Sequence, residues 1–361
     1  MGDKELQSFL SHIGSLDEEA MAQARAYQEQ LAMPPGSMGK LQTLAVQLAG
    51  ITGKVKNSIQ KKRIIVLCAD NGVVAEAVSS APQSVTAAQA VNMTRGLTGM
   101  SCLARHFCCE VQVVDLGIAS DYTCPAVLNR RIRRGTGNIA REAAMSREEC
   151  LRAILTGIEL ARRAKADGVS VIGVGEMGIG NTTTSSAVLS VLAACPPEKV
   201  TGRGGGITDA MLEHKKKVIA QAIAVNHPRC DDCIEVLAKL GGLDIAAMCG
   251  VFLGAAYCRL PVVIDGYISI VAALCAFRLC PRARDFFIAS HCSQEPGYLI
   301  AARELSLSPM LQLDMRLGEG SACPLAFTVL EASCTMMNDM ATFEQAQIDD
   351  AYLEGIRERS T

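Results

Sequence analysis

Tryptophan is absent from this 361-residue chain, and Phe and Tyr bring the aromatic share to only 4%. Single-stranded nucleic acid is gripped by stacking on aromatic faces, so that class of partner is set aside. An excess of charge of either sign is also missing: 35 Lys and Arg stand against 37 Asp and Glu, a net charge of −2. Nothing in that balance draws a polyanion or a membrane surface. Long hydrophobic runs are lacking too. The longest, from Ile245 to Cys258, is well short of the ~20 residues a bilayer requires and predicts a buried core helix. The start MGDKELQSFLSHIG has no charged-then-apolar signal pattern, so the chain is expected to stay in the cytoplasm.

Cysteine, by contrast, is plentiful, at sixteen. Cys68, Cys249, Cys258 and Cys275 lie in apolar segments, where a free thiol serves as a small hydrophobe. The one CxxC, Cys230-Asp231-Asp232-Cys233, has no second CxxC or His pair at zinc spacing and reads as a helix-start loop. No metal site is expected.

Several β-branched runs end in Gly or a small polar residue and are followed by helical patterns: Arg63–Ala69, Val111–Leu116, Val169–Val174, Pro261–Ile264 and Asp285–Ser290. Runs without polar alternation are buried on both faces, which predicts a parallel sheet covered by helices. The fold class is therefore α/β, a Rossmann-like parallel-sheet core with helices on both faces. A small helical subdomain from the N- and C-terminal segments is expected to roof one end. Residues 1–55 are its N-terminal part, with a helix from Leu6 to Ala32 stopped by Pro34-Pro35-Gly36. Residues 56–320 are the α/β core. Residues 321–361 supply C-terminal helices, beginning with Ala322 to Ala341. Ligands of such sheets bind beyond the carboxyl ends of the strands. That places Asp70-Asn71-Gly72, Gly175 to Gly178, Asp265-Gly266 and His291 to Gly297 at the site.

Three glycine-rich turns stand out. Gly173 to Thr183 follows a strand and opens a helix, so its N–H groups suit an anion. Its Gly173-x-Gly175-x-x-Gly178 spacing also fits a dinucleotide fingerprint, although the expected ribose-binding acid falls at Glu198 in a Pro-Pro-Glu-Lys loop. In Thr201 to Asp209, consecutive Gly204, Gly205 and Gly206 form a potential anion nest, and Lys215 follows in the next helix. The third, Ala289 to Gly297, offers the hydroxyls of Ser290 and Ser293 for phosphate or sugar. A separate carboxylate, Glu319, stands between Gly318 and Gly320. Two phosphate-type loops plus a lone carboxylate suggest a phosphorylated sugar and a general base. No adjacent acids follow a strand to hold Mg²⁺, and no Walker lysine loop occurs, so metal-free chemistry is expected.

In order along the chain, Pro34-Pro35-Gly36-Ser37, Val85-Thr86-Ala87, Gly175 to Thr183, Gly241-Gly242, Asp265-Gly266, Ala289-Ser290-His291, Glu295-Pro296-Gly297 and Arg316-Leu317-Gly318-Glu319-Gly320 resemble one family over nearly the whole length. It is the nicotinate-nucleotide–dimethylbenzimidazole phosphoribosyltransferases, which make the lower-ligand nucleotide of cobamides (vitamin B12 compounds). The resemblance implies transfer of 5-phosphoribose from nicotinate mononucleotide to a benzimidazole, with release of nicotinate, inversion at the anomeric carbon, no cofactor and a dimeric enzyme. By the same resemblance Glu319 is the catalytic base, and Glu176 is a polar active-site residue. The amides of Gly178, Gly204, Gly205 and Gly206 hold the phosphate with Lys215, and Ala81, Gln89 and Met177 line the acceptor pocket. Met33, Asn71, Asp244 and Tyr298 depart from the family pattern. They leave the acceptor open between 5,6-dimethylbenzimidazole, another azole and a phenol, and the dimer open between two like chains and a pair with a paralogue. An NAD-dependent oxidoreductase and a non-catalytic paralogue are the alternative readings.

Overall fold

The computed structural model describes residues 2–353. Six parallel strands form one sheet: β1 (Lys62–Ala69), β2 (Glu110–Gly117), β3 (Leu128–Asn129), β4 (Val171–Met177), β5 (Val262–Ile264) and β6 (Phe287–Ala289). Their order is β3-β2-β1-β4-β5-β6, so the winding reverses between β1 and β4. A crevice opens at such a switch point, beyond the carboxyl ends of the strands. Every residue of β1 and β4 is buried, which is why Ile64 to Ala69 and Val171 to Gly175 read as unbroken apolar runs. Lys62 and Arg63 enter the sheet buried but paired, Lys62 with Glu331 and Arg63 with Glu110 and Asp167.

The strand boundaries refine the sequence reading. The strand expected at Val169–Val174 runs to Met177, so Glu176 and Met177 stand on a strand end rather than in a loop. The start of the expected Asp285–Ser290 strand is taken by a 3₁₀ turn, Pro281–Phe286, which opens with its proline at the first position, where no N–H is needed. The two-residue β3 is too short to leave a periodic trace.

The helix Leu243–Tyr257 is buried along nearly its whole length, as the apolar run predicted, and packs on the helix Arg147–Ala166. The two backbones touch through glycines. A Cβ on Gly250 would lie 1.9 Å from the Ile154 carbonyl, and one on Gly157 would lie 2.0 Å from that of Ala247. No helix among the described residues is long and apolar enough to cross a membrane.

The N-terminal region does not form one long helix. It splits into Asp3–Ser11 and Glu18–Gln30, because Asp17 caps the second through the Ala20 N–H (2.9 Å). Leu6, Leu10 and Ile13 join the main core, whereas Ala20, Ala24, Leu31 and Met33 pack with Val46, Met336 and Met337. The helix Cys323–Asp339 contributes to that second cluster and also covers the sheet through Cys323, Phe327 and Leu330. Residues 354–361, expected to end the C-terminal helices, lie outside the described residues.

A methyl group at the glycine contact must push the paired helices apart at the centre of the core. Gly250→Ala is expected to lower the unfolding free energy by about 1–3 kcal/mol. Gly14→Ala, whose added Cβ would meet nothing within 4 Å, is expected to leave it in place. Urea unfolding of both variants beside the parent checks this.

Candidate active site

A cavity of about 240 Å³ opens beyond the carboxyl ends of β1, β4 and β5. Strand β4 delivers Glu176 and Met177 to its floor, and the helix Asn181–Leu192 opens at its edge with Asn181 and Thr182. Asp265 follows β5 directly. Distant in sequence, the segment Arg316 to Glu319 folds over the same opening.

Gly318, Glu319 and Gly320 are three consecutive left-handed residues, with φ of +81°, +64° and +87°. Glycine takes this conformation readily, but for Glu319 it costs about 1–2 kcal/mol. Two buried carboxylates hold it there. Glu176 Oε1 accepts the Glu319 N–H (3.2 Å), while Asp265 accepts the N–H groups of Gly320 (3.0 Å) and Ala322 (2.8 Å). Gly175 allows the close approach, since a Cβ there would lie 2.4 Å from the Glu319 carbonyl oxygen. The Glu319 side chain is 5% exposed and faces the cavity. Its Oε1 accepts from Gln89 Nε2 (3.3 Å), and Oε2 accepts from the Met100 N–H (3.4 Å) at the start of the helix Gly99–His106. Asn92 Nδ2 donates to Gln89 Oε1 (3.1 Å), which turns the Gln89 amide nitrogen toward Glu319.

The opposite end of the cavity is basic. Lys215, only 1% exposed, donates to Thr182 Oγ1 (2.8 Å) and to the Gly202 carbonyl (3.2 Å). The glycine loop above it is tied down by side chains: Arg316 donates to the Gly204 carbonyl (3.3 Å) and Ser80 to that of Gly206 (2.9 Å). A Cβ on Gly205 or Gly206 would meet nothing within 4 Å, so this face of the loop is open. An anion here would meet a helix N-terminus, an ammonium and the Gly205 backbone together, while the N–H groups of Gly204 and Gly206 are bonded to Glu295 Oε1 (2.9 Å) and to the Arg203 carbonyl (3.1 Å).

The structure brings Glu319, Glu176, Gly178, Lys215, Ser293, Ala81, Gln89, Met177 and the glycines 204–206 to this one cavity. Ser290 is a correction. It is fully buried away from the cavity, and its hydroxyl donates to the Asp265 carbonyl (2.8 Å), tying the end of β6 to that of β5. Met33, Asn71, Asp244 and Tyr298 do not line the cavity either. Asn71 accepts from Thr184, Tyr298 stacks on His291, and Asp244 reaches the site only through the Asn181 amide (3.1 Å). Sequence reasoning placed Asp265 at the site without a role; its position directly after a strand was the available signal. Nothing in the sequence marks Met100, whose contribution is a backbone N–H.

Burial dominates the carboxyl chemistry. It pushes Glu176 to about 8, partly offset by the Asn181 hydrogen bond and reinforced by Asp244. Asp265 rises to about 7 and Asp244 to about 6, again chiefly through burial. Burial also raises Glu319, against the hydrogen bonds from Met100, Thr98 and Gln89. On the other side burial lowers Lys215 to about 8, with the Glu295 charge opposing the shift.

A carboxyl with a raised folded-state value binds its proton more tightly folded than unfolded. Its stabilising contribution is complete below the ordinary range and is lost as pH rises through the folded value. For Glu176 that window runs from 4.5 to about 8. Within it each such group adds a slope of about −1.4 kcal/mol per pH unit to the unfolding free energy. Glu176→Gln is expected to flatten the fall of stability with pH across this window, as read by urea unfolding at several pH values.

A family model described as "Phosphoribosyltransferase" matches residues 13–348. The nicotinate-nucleotide–dimethylbenzimidazole phosphoribosyltransferase of Clostridium perfringens strain ATCC 13124 is 49% identical over 353 residues, covering 98% of each chain. That of Clostridium tetani is 47% identical, covering 99% of each. Among solved structures, the CobT protein of Thermus thermophilus superposes with a TM-score of 0.89 at 40% identity, covering 92% of this chain and 100% of its own. On these matches, and with the cavity at the switch point, the chain belongs to the nicotinate-nucleotide–dimethylbenzimidazole phosphoribosyltransferase family.

Proposed function

We propose that this enzyme transfers 5-phosphoribose from nicotinate mononucleotide to an aromatic lower-ligand base, 5,6-dimethylbenzimidazole or a related azole, for cobamide synthesis. The observation that carries the reading is Glu319: a carboxylate held rigidly at one end of a cavity whose other end is built for an anion. With the donor phosphate at Lys215 and the glycine loop, the ribose spans the floor near Glu176, and C1′ points toward Glu319. The azole nitrogen attacks C1′ as the bond from C1′ to the pyridinium nitrogen breaks. That electron pair returns to the pyridinium ring, so nicotinate leaves without needing a proton. Positive charge gathers on the incoming azole, and its N–H proton passes to the Glu319 carboxylate. Burial raises the Glu319 carboxyl above its ordinary range, which makes it a stronger base.

In this reading Glu176 positions rather than reacts. Its oxygens are engaged by the Glu319 N–H and the Asn181 amide, and it holds its proton to about pH 8. The acceptor lies against Ala81, Val85 and Met177, with Gln89 at its edge. Apart from Glu319 and Gln89 this wall is apolar, so a phenol, whose single hydroxyl would face Glu319, suits it as a second acceptor class. Glu319 would then take the hydroxyl proton and an O-riboside would form. A dimer, of like chains or with a paralogue, is included in the same proposal and is read by light scattering.

The oxidoreductase alternative loses its support at the fingerprint. Gly173 lies inside β4 against Cys323, and Gly175 lies against the Glu319 backbone, so neither is free to receive a pyrophosphate. The intact Glu319 weighs against a non-catalytic paralogue.

Glu319→Gln is expected to lower kcat by roughly 10²–10⁴ while nicotinate mononucleotide still binds. Chromatography and mass spectrometry of nicotinate and riboside phosphate, with 5,6-dimethylbenzimidazole and with p-cresol as acceptors, measure both activity and acceptor class. Parental turnover in the variant would remove Glu319 from the role of base.

A further inference from the structure

Glu295 is the one carboxylate of the cavity that stands on its basic side. It lies just before the helix Gly297–Glu304, is 7% exposed, and donates its own N–H to Ser293 Oγ (3.4 Å). Oε1 accepts the N–H of Gly204 at 2.9 Å, and Oε2 is buried without a hydrogen-bond partner. The approach is close: a Cβ on Gly202 would come within 2.0 Å of Oε2. From the far side Lys215 holds the Gly202 carbonyl, and Arg316 holds that of Gly204.

The Gly204 amide, expected from the sequence to grip phosphate, is therefore already committed to a side chain. A carboxylate beside a phosphate site would repel the ligand if its charge were unspent. Here that charge faces a backbone N–H and sits close enough to the buried Lys215 to oppose the lowering of its pKa. Glycine has the greatest backbone freedom of any residue, and Gly204 and Gly206 both take positive φ. Left untied, the loop would have to be ordered by each incoming phosphate.

We propose that Glu295 is a positioning residue for recognition of the donor's phosphate. By taking the Gly204 N–H it fixes the glycine loop with Lys215 and the open face of Gly205 and Gly206 toward the cavity, and so favours phosphorylated over unphosphorylated ribosyl donors. This inference rests on the phosphoribosyl-donor reading given above.

The test is steady-state kinetics with two donors, nicotinate mononucleotide and nicotinate riboside, on the parent enzyme and on Glu295→Ala, Glu295→Gln and Glu295→Asp. Loss of a charge-assisted hydrogen bond predicts that the ratio of mononucleotide to riboside kcat/KM falls about tenfold in Glu295→Ala, with the loss in KM rather than kcat. Glu295→Gln keeps an oxygen for the Gly204 N–H and is expected to restore most of the ratio. Glu295→Asp withdraws that oxygen by one methylene and is expected to behave as Glu295→Ala, which keeps the test open if the alanine variant fails to fold. An unchanged ratio in Glu295→Ala and Glu295→Asp, or equal losses with both donors, overturns the proposal alone. A parent enzyme that uses neither donor overturns the functional reading with it.

Discussion

The site depends on two carboxylates that end adjacent strands and hold the backbone of a third segment. Glu176 closes β4, and Asp265 follows β5; between them they take the N–H groups of Glu319, Gly320 and Ala322. Without these acceptors a left-handed glutamate between two left-handed glycines would relax, because nothing intrinsic to the residue favours φ of +64°. The strain is local and is balanced by hydrogen bonds anchored at the ends of β4 and β5. The proposed base is thus aimed by the register of β4 and β5, even though it belongs to a segment leading into the helix Cys323–Asp339.

That arrangement gathers acids in a cavity meant for an anionic donor, and burial resolves the conflict. With Glu176 near 8 and Asp265 near 7, much of the formal negative charge beneath the Glu319 turn is neutralised by protons at physiological pH. Lys215, brought down to about 8 by burial, gains from any anion placed beside it, which would restore its charge more firmly. The two ends of the cavity therefore differ in more than sign. One end keeps protons and orders backbone; the other offers an ammonium beneath a glycine loop with an open face.

The strands of the core were legible because burial on both faces leaves continuous runs such as Ile64 to Ala69; the strand ends led to Glu176 and Asp265, and the run of glycines at 204–206 led to Lys215. Ser290 misled for a physical reason: next to a strand end, a hydroxyl serves sheet geometry as readily as ligand, and the sequence carries no sign of which. The break at Asp17 was missed because the charged face of Leu6 to Ala32 continues across it, while capping is a matter of one side chain meeting one N–H. Contacts made by backbone, such as the Met100 amide on Glu319, leave no trace in residue identity at all.

The strand order here is that of dinucleotide-binding folds, yet the same order yields a different site. In those folds a glycine turn after the first strand receives a pyrophosphate. In this chain the glycine pattern falls on β4, and its first two members are spent inside the protein, Gly173 against Cys323 and Gly175 against the Glu319 backbone. Crowding those positions with protein closes the pyrophosphate route and brings a distant carboxylate into the crevice. The proposed reading leaves the donor's phosphate to the loop at Gly202–Gly206. One end of the cavity is tied by Lys215 and Glu295 and the other by Glu176 and Asp265, so in the proposed reaction the separation between them would decide which donor can present its ribose carbon to Glu319.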